Sequence, residues 1–338
     1  MKKKINISLF LRKPRKNFDY STEIFYKELF YHTNKNKNLN IIKKEVPFTS
    51  KGFVRRIYLA IWCFFNQNEI NHVAGDINFA NIFLIKRKSI LTVLDIYSLK
   101  RLKGLKKILY KFFWLDLPIH KSAKIITISE NVKKELCKIF KINKDKIKVI
   151  PCSVSKIFKP KYKRINFKNL NILFIGTAKN KNLYRVLSAL KGLKVKIIII
   201  GELSNEYRKL IFKNKIIYQN FINQTQRQIY NHYVKCDILL YPSIYEGFGI
   251  PIIEAQSVGR LVITSSNLKN TAGNGAIYVN PLSVNDIRKK VSNLIKNNYK
   301  TRKLINLGFK NLEKYNLKDI KNNYLNFYNS FYENIGRN

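Results

Sequence analysis

Acidic residues are scarce in this chain of 338 residues. It contains 20 Asp and Glu against 65 Lys and Arg, which gives a formal net charge of +45 at pH 7. So basic a balance suits an anionic partner, such as a nucleic acid, an anionic membrane face or a phosphate-rich substrate. The alternative is codon bias, because Lys, Asn, Ile, Tyr and Phe, which AT-rich codons encode, are all abundant. The basic residues are also spread over both halves of the chain, whereas a nucleic-acid site usually concentrates them. We therefore expect no specific nucleic-acid partner.

Cysteine and histidine are few and scattered. The chain has 4 Cys and 4 His, and none stands at a spacing typical of a metal site or a redox motif. The cysteines also form no disulfide framework, which favours free thiols in a reducing cytosol. No metal site is therefore expected from the pattern.

Long apolar runs are absent. The first one, Ile5–Leu11, is followed by another basic run and no small-residue cleavage site, so it predicts a buried strand rather than a signal peptide. The longest apolar stretch nearby, Ile57–Phe65, is far shorter than the ~20 residues that a membrane-spanning helix needs. We expect a cytoplasmic protein that is either free or peripheral at the inner face of the membrane.

Short apolar runs alternate with amphipathic segments along the whole chain, which is typical of βαβ units with parallel sheets. The length suits two α/β domains. In the first half, strands are predicted at Ile5–Leu11, Ile41–Pro47, Ile70–Val73, Ile90–Ile96, Lys124–Ile128 and Lys146–Ile150. In the second half, they are predicted at Leu170–Ile175, Lys194–Ile200, Ile216–Gln219, Ile238–Tyr241, Leu261–Thr264 and Ala276–Val279. The helices predicted between the strands include Phe79–Ile85 and Leu102–Leu115. An aperiodic segment that follows Pro151 and contains Pro160 predicts the linker between them. We expect two doubly wound domains that face each other across a cleft, with ligands beyond the carboxyl ends of the strands.

The most informative stretch joins a buried strand to a helix. Asp237–Tyr241 is the strand, and Gly249 frees the backbone of the loop that follows it. Pro251 fits the first turn of the helix, where its missing N–H has no cost, and Gly259 ends the helix. The backbone amides of Phe248–Ile250 would then form an anion site suited to a diphosphate.

Two carboxylates flank this anion site. Glu246 lies in the loop, and Glu254 lies about one turn into the helix. Carboxylates would repel a phosphate, so we expect each to bind hydroxyl groups, Glu246 those of a sugar and Glu254 those of a ribose. The alternative is a capped helix with two solvated acids.

This order of strand, E-G-F-G-I-P, second Glu and helix resembles the Glu-x7-Glu motif of glycosyltransferase family 4. Further segments resemble that family at Ile126–Leu136, Val149–Pro160, Phe174–Leu190, Ile197–Ser204 and Asn316–Tyr332. The resemblance implies a GT-B fold, two Rossmann-like domains, nucleotide-sugar donors and retaining chemistry. It implies an acceptor-side domain at 1–160 and a donor-binding domain at 161–316, with a last helix at about 317–338 that packs back on the first.

The resemblance also assigns roles to residues of the second domain. Lys181 matches the lysine that neutralises the donor diphosphate, although relatives often carry an Arg where this chain has Thr177. The implied donor-binding residues are Gly176, Thr177, Lys181, Asn182, Gly247, Phe248, Gly249, Ile250 and Glu254. Glu246, Lys181 and Asp95 are the residues expected to act in catalysis.

The first domain should supply the acceptor side of the site. His72, Gly75 and Asp76 are predicted just past a strand end, and they resemble an H-x-x-G-D pattern of members that include bacterial polysaccharide mannosyltransferases. Asp95 is predicted past the next strand, where many relatives have His-Asp and this chain has Leu94 before the Asp. The alternatives are a core role for His72 and ordinary loop capping for the two aspartates.

No Asp-x-Asp triplet occurs in the chain. Metal-dependent glycosyltransferases of the other main fold use such a triplet to hold a divalent ion, so we expect a metal-independent enzyme without a cofactor, whose co-substrate is the nucleotide sugar. The expected acceptor is a glycan or a lipid-linked precursor, and the expected setting is surface polysaccharide biosynthesis. A catalytically weak, nucleotide-binding relative is one alternative, which Leu94 favours. A basic nucleic-acid-binding protein is another.

Basic and apolar residues interleave between Leu99 and Leu115. This segment could lie on an anionic membrane as an amphipathic helix. It could equally pack its apolar face on the sheet and keep its lysines in water, and the two possibilities are compatible.

Overall fold

The structure, a computed structural model, describes residues 4–13, 21–31, 38–296 and 300–335. These residues form two compact units. The second unit comprises Val154–Asn316, and the first comprises the residues up to Ser153 together with those from Leu317 onward. The division lies inside the segment predicted as the linker.

The first unit contains a six-stranded parallel sheet with the strand order β2-β1-β3-β4-β5-β6. Its strands are β1 (Ile5–Leu11), β2 (Leu39–Glu45), β3 (Ile70–Val73), β4 (Ser89–Val93), β5 (Lys124–Thr127) and β6 (Ile147–Val149). Its helices are α1 (Ser21–Phe30), α2 (Phe53–Phe65), α3 (Tyr97–Arg101), α4 (Gly104–Tyr110), α5 (Leu117–Lys121) and α6 (Glu130–Phe140). The strand order reverses between β1 and β3, which makes the carboxyl ends of these two strands the expected ligand position.

The second unit has a six-stranded parallel sheet of its own, with the order β12-β11-β10-β7-β8-β9. Its strands are β7 (Leu170–Ile175), β8 (Val195–Ile200), β9 (Ile217–Phe221), β10 (Ile238–Tyr241), β11 (Leu261–Ser265) and β12 (Ile277–Val279). Its helices are α7 (Leu183–Leu190), α8 (Asn205–Lys213), α9 (Gln226–Lys235), α10 (Ile250–Val258), α11 (Lys269–Ala272), α12 (Val284–Ile295) and α13 (Thr301–Asn311). Counted within the unit, this is the 3-2-1-4-5-6 order of a Rossmann fold. The predicted fold class, two Rossmann-like α/β domains, is confirmed.

Both faces of the second sheet are covered. Ile172 and Phe174 of β7 face one buried apolar cluster, while Leu173 faces the other. This alternation follows from the two-residue period of a strand. A sheet that is buried on both faces explains why its strands are nearly continuous apolar runs in the sequence.

Two predicted helices differ from the observed ones. The predicted helix Phe79–Ile85 is reduced to a short 3₁₀ turn at Asn78–Asn81. That turn is buried, and the side-chain amide of Asn81 donates to the carbonyl of Pro118 at 2.9 Å, which fixes a compact loop instead of a helix. The predicted helix Leu102–Leu115 is α4 followed by a π-helical stretch and then by α5, which runs on to Lys121.

The last helix, α14 (Leu317–Ile335), belongs to the first unit. The last three residues of its predicted range lie outside the described residues. Within the described ranges, we find no helix that combines the length and the apolar character needed to span a bilayer.

Candidate active site

The strand order of the second unit reverses between β7 and β10. The chain leaves β7 towards β8 on one side and leaves β10 towards β11 on the other, so two loops diverge from this point. They are residues 176–182 and 242–249. The amide of Ile244 donates to the carbonyl of Asn180 at 2.8 Å, and the Asn180 side chain donates to the carbonyl of Tyr245 at 3.0 Å. The loops are therefore bonded together where a doubly wound sheet binds ligands.

A three-membered hydrogen-bond network links these loops. The ammonium of Lys181 lies 2.7 Å from Glu246 Oε1 and 2.7 Å from the hydroxyl oxygen of Tyr241. The Tyr241 hydroxyl in turn donates to Glu246 Oε1 at 2.9 Å. Burial, followed by the negative charge of Glu246, raises the pKa of Tyr241 well above its ordinary value, so the phenol remains a proton donor. The Lys181 and Glu246 side chains are 22% and 11% exposed, which leaves part of the pair open to a ligand.

Gly176 makes room for the Lys181 side chain. The glycine has a φ of +88°, and a Cβ on it would lie 3.1 Å from both Cγ and Cε of Lys181. A larger residue would therefore be strained in its backbone and would also displace the lysine. The close approach of the Lys181 side chain to the backbone thus gives a steric reason for glycine at position 176.

Asn182 is placed differently from the prediction. Its side chain is buried, and its amide donates to the carbonyls of Pro242 at 3.0 Å and Pro281 at 2.6 Å. Its carbonyl oxygen accepts from Arg185 at 3.0 Å. These bonds engage the polar groups of the side chain inside the unit. Through these bonds, the Asn182 side chain holds the loop that carries Lys181.

The start of α10 matches the prediction in its backbone. Gly249 precedes the helix with a φ of +91°, and Pro251 lies in the first turn. The Phe248 ring is buried against the edge of Tyr315, with 5.3 Å between the ring centroids. The Thr271 hydroxyl donates to the Phe248 carbonyl at 2.6 Å. Packing thus fixes the loop. The buried ring of Phe248 cannot contribute to an anion site, whereas its backbone could.

Glu254 is buried one turn into α10. Its Oε2 atom accepts a hydrogen bond of 2.9 Å from Tyr233, which also donates to the carbonyl of Pro251 at 3.0 Å. Burial raises the pKa of Glu254 to about 7, and the Tyr233 hydrogen bond opposes this shift. Since Glu246 is mostly covered too, the alternative of two solvated acids is wrong.

The corresponding point of the first sheet carries charged residues. Arg12 follows β1, Gly75 and Asp76 follow β3, and Arg12 Nη1 lies 3.9 Å from Asp76 Oδ2. Asp76 has a φ of +54° and a side chain that is 61% exposed. Asp95 follows β4, and its Oδ1 accepts from the amide of Tyr97 at 2.8 Å. The predicted positions of both aspartates beyond strand ends therefore agree with the structure, and Asp95 also binds the amide of the first residue of α3.

Asp76 and Asp95 act on the same neighbour. The pKa of Tyr110 is raised, first by burial and then by the negative charges of these two aspartates. The guanidinium of Arg56 lowers it in part. The carboxyl edge of the first sheet thus gathers two carboxylates, a phenol and basic groups around one region.

The sequence predicted His72 just past a strand end, but in the structure His72 lies within β3. It is 0% exposed. Its Nδ1 is 2.7 Å from the Tyr328 hydroxyl of α14, and its Nε2 is 2.7 Å from the Thr92 hydroxyl of β4. Burial lowers its pKa to about 3. The structure therefore gives His72 the geometry of the alternative, a satisfied core histidine that joins α14 to the sheet.

Several residues of these sites were missed in the sequence. Tyr241, Asn180 and Tyr233 contact the predicted donor-side residues, and Arg12 contacts Asp76. Arg12 and Tyr241 stand at strand ends that the apolar pattern predicted, so their position was an available signal. Throughout the described part of the chain, no three His, Cys, Asp or Glu side chains come together as a metal site would require.

Comparison with known families concerns mainly the second unit. Residues 155–311 match the family described as "Glycosyl transferases group 1". This match covers both loops at the β7 and β10 strand ends, and it confirms the resemblance that the Glu246–Glu254 segment indicated.

Two relatives and two solved structures illustrate the similarity. The chain is 31% identical over 209 residues to "O-antigen chain mannosyltransferase RfbU" of Salmonella typhimurium, with 57% of this chain and 55% of the relative covered. It is 27% identical over 251 residues to an uncharacterised glycosyltransferase of Methanocaldococcus jannaschii, with 65% and 63% covered. The matched regions thus span less than two thirds of either relative.

The structural similarity extends over nearly the whole chain. A glycosyltransferase from Rickettsia africae matches with a TM-score of 0.69 at 20% identity, covering 99% of both chains. HepE of Anabaena, solved in complex with UDP and glucose, matches with a TM-score of 0.75 at 12% identity, covering 96% of this chain and 100% of HepE. At these identities the similarity concerns the fold, which is that of glycosyltransferases with two Rossmann-like domains.

Proposed function

We propose that this chain, whose residues 155–311 match the group 1 glycosyl transferases, moves a sugar from a nucleotide diphosphate to a glycan or lipid-linked acceptor. The observation that carries the proposal is the contact of Lys181 with Glu246 at the β7–β10 reversal. Lys181 is a fixed cation that can bind a diphosphate, and Glu246 is a carboxylate that can accept hydrogen bonds from sugar hydroxyls. A nucleotide sugar requires both kinds of group. The RfbU relative supports surface polysaccharide biosynthesis as the setting.

The proposed reaction exchanges one bond at the anomeric carbon. The bond between this carbon and the diphosphate oxygen breaks, and a bond to the acceptor oxygen forms on the same face of the sugar. The acceptor proton passes to the departing diphosphate, so the products are the glycosylated acceptor and the free nucleotide diphosphate. The transition state resembles an oxocarbenium ion, while negative charge grows on the diphosphate.

Lys181 is proposed to stabilise this growing charge, together with the amides at the start of α10. Its ammonium is held by Glu246 and Tyr241 at hydrogen-bond distance, so it needs little rearrangement to meet a phosphate. Glu246 is proposed to orient the sugar through its hydroxyls, and Glu254 to accept from the ribose. The Gly176 and Thr177 backbone would line the diphosphate.

The acceptor is proposed to bind at the carboxyl edge of the first sheet. Asp76 and Asp95 are the exposed carboxylates there, and they can accept hydrogen bonds from sugar hydroxyls. Asp95 is the one proposed to act in catalysis. His72 is not part of this proposal, because it is enclosed in the core.

Calorimetric titration of UDP and GDP into the parent and into Lys181→Ala tests the donor site. We expect one nucleotide to bind and the substitution to weaken it by roughly tenfold to a hundredfold, since a charge-assisted hydrogen bond contributes about 1.5–3 kcal/mol. Lys179→Ala is the matched control, because this lysine stands in the same loop but is exposed. Equal affinities for the parent and both variants would remove the basis for the proposed role of Lys181.

A nucleotide-binding relative without turnover is the second candidate function. Leu94 favours it, because many members of the resembled family have a histidine at this position. Nucleotide binding without sugar transfer to any lipid-linked or glycan acceptor would support this candidate. Recovery of transfer by Leu94→His would show that the leucine is the cause.

Metal independence is likewise proposed, and it is tested by transfer assays in excess EDTA. We expect an unchanged rate, while loss of activity that Mg²⁺ or Mn²⁺ restores would contradict it. A cytoplasmic location with contact between Leu99–Leu115 and an anionic membrane completes the proposal.

A further inference from the structure

The outer face of α2 is apolar. Most surface helices bury their apolar side and turn charged residues to water. In α2, the buried positions are Leu59, Ala60 and Cys63, and the opposite face also carries large apolar residues. The exposed ones, with their fractional exposure, are Phe53 (63%), Val54 (78%), Ile57 (39%), Tyr58 (50%), Ile61 (42%), Phe64 (43%) and Phe65 (78%). Contiguous apolar exposure of this kind usually marks an interaction site.

A second exposed apolar group lies beside it. Its members are Leu105 (69%), Ile108 (65%), Leu109 (48%), Phe112 (50%) and Phe113 (38%), on α4 and the π-helical stretch. The rings of Phe53 and Phe113 meet edge to face at 6.3 Å. The guanidinium of Arg56 lies 4.4 Å above the ring of Trp114. The two groups are therefore continuous, and together they are called the α2–α4 surface.

The two sequence segments that form this surface contain no acidic residue of their own. None occurs in residues 48–68 or in residues 96–115. The exposed basic residues of these segments are Lys51, Arg55, Lys100, Arg101, Lys103, Lys106 and Lys107, and Lys100 pairs with Glu135 of α6. Apolar side chains interleaved with Lys and Arg are the composition of helices that lie in the interface of an anionic bilayer.

The charges also discriminate between occupants. A second copy of the chain in a twofold contact would bring the same basic residues face to face, and the resulting repulsion opposes association. The cores of protein interfaces are depleted in lysine, whereas Lys and Arg next to anionic lipid each add to binding. The observations therefore favour a lipid surface.

We propose that the α2–α4 surface lies on an anionic lipid bilayer, with α2 inserting the larger apolar area and residues 100–107 supplying most of the basic residues. The proposal extends beyond Leu99–Leu115, because it makes α2 the main apolar contact. It does not depend on the proposed roles of Lys181 and Glu246, since every residue of the surface belongs to the first unit and those two residues belong to the second.

Cosedimentation of the full chain with vesicles tests the proposal. The vesicles consist of phosphatidylcholine, with or without phosphatidylglycerol. We expect the parent to bind the mixed vesicles and to bind pure phosphatidylcholine much more weakly. The double variant Phe53→Ser, Phe65→Ser should lose roughly tenfold or more in affinity for each phenylalanine, because burial of a large apolar side chain contributes at least that factor. Added salt should weaken parent binding, because it screens the basic residues.

The matched control is Phe212→Ser in α8. Phe212 is 87% exposed, but it lies in the second unit, so its loss should leave vesicle binding unchanged. Charge reversal by Lys106→Glu and Lys107→Glu should reduce binding to phosphatidylglycerol vesicles only. Thermal unfolding of each variant shows whether it is folded, since all the substituted side chains are exposed.

Three outcomes would overturn the proposal. One is a parent that does not bind the mixed vesicles at all. Another is an α2 double variant that binds them as tightly as the parent, which would leave α4 alone as the contact. The third is a parent that forms dimers in solution and loses them in the α2 double variant, which would identify a second copy as the occupant of the surface.

Discussion

Replacement of His72 should change the way the stability of the first unit depends on pH. In the folded chain, the imidazole is fully buried and bonded to two hydroxyls, and burial lowers its pKa from 6.5 to about 3. The His72 imidazole of the unfolded chain therefore binds a proton below pH 6.5, whereas the imidazole of the folded chain binds one only near pH 3. The contribution of this group to stability is complete above pH 6.5 and is lost as the pH falls towards 3.

The expected size follows from these two pKa values. At pH 5 the unfolded state is favoured by the protonation of one imidazole, 1.5 pH units below its ordinary pKa of 6.5. One unit corresponds to 1.36 kcal/mol, so the loss is about 2 kcal/mol. This is a large part of the ~5–15 kcal/mol by which a typical protein is stable.

Denaturant unfolding at pH 7 and pH 5 measures this effect. The two tryptophans, Trp62 and Trp114, both lie in the first unit, so their fluorescence reports the unfolding of the unit that contains His72. His72→Gln keeps a polar side chain that does not titrate. It should be less stable than the parent at pH 7, but its stability should fall by about 2 kcal/mol less between pH 7 and pH 5.

The comparison between variants removes the contribution of all other groups. His120→Gln is the control, because His120 is exposed and its removal should leave the pH dependence of the parent. An equally steep fall for the parent and His72→Gln would refute the account of a neutral, buried imidazole. It would reopen a role for His72 at an accessible site.

Three further predictions concern the proposed donor site. Tyr241→Phe removes the hydroxyl that joins the ammonium to the carboxylate, and we expect the transfer rate to fall by roughly tenfold or more, since hydrogen bonds to charged groups contribute about 1.5–3 kcal/mol; an unchanged rate would contradict this. Nucleotide affinity measured by calorimetry should fall by up to about tenfold from pH 8 to pH 6, because the protonated carboxyl of Glu254 is a poorer acceptor for ribose hydroxyls than the carboxylate. Glu254→Gln should flatten this pH dependence. Gly176→Ala should weaken nucleotide binding by displacing Lys181, whereas Gly192→Ala, which has a similar positive φ but open space around its Cβ position, should affect stability alone.

Strands that consist of a single buried apolar run could be predicted from the sequence. β10 is observed at the predicted Ile238–Tyr241, and β7 at the predicted Leu170–Ile175. The predicted helix Phe79–Ile85 failed, because an apolar segment of that length does not distinguish a helix from a buried loop. The deciding contact, from Asn81 to the carbonyl of Pro118, involves a residue 37 positions away.

The site could be predicted as far as local geometry determines it. Gly249 and Pro251 identify a helix start, and Lys181 identifies a cation past a strand end. The contact between Lys181 and Glu246 depends on β7 lying next to β10, across 65 residues of sequence. The family resemblance assigned both residues to one site but predicted no contact between them. The raised pKa of Glu254 could not be predicted, because it depends on complete burial beside α9, which the sequence pattern does not measure.

The error at His72 and the unexpected face of α2 have a common cause. Both depend on what covers a segment, which periodicity does not reveal. The sequence around His72 indicates a strand end. In the structure, Tyr328 of α14, which is 256 residues away in the sequence, is hydrogen-bonded to His72. The sequence of α2, FVRRIYLAIWCFF, contains two arginines and no other charged residue. Apolar residues therefore occupy most of the circumference of the helix. Such a helix is usually buried completely. Since α2 is covered on one side only, its sequence already contained the signal for a second partner, and the structure was needed to show which side remains open.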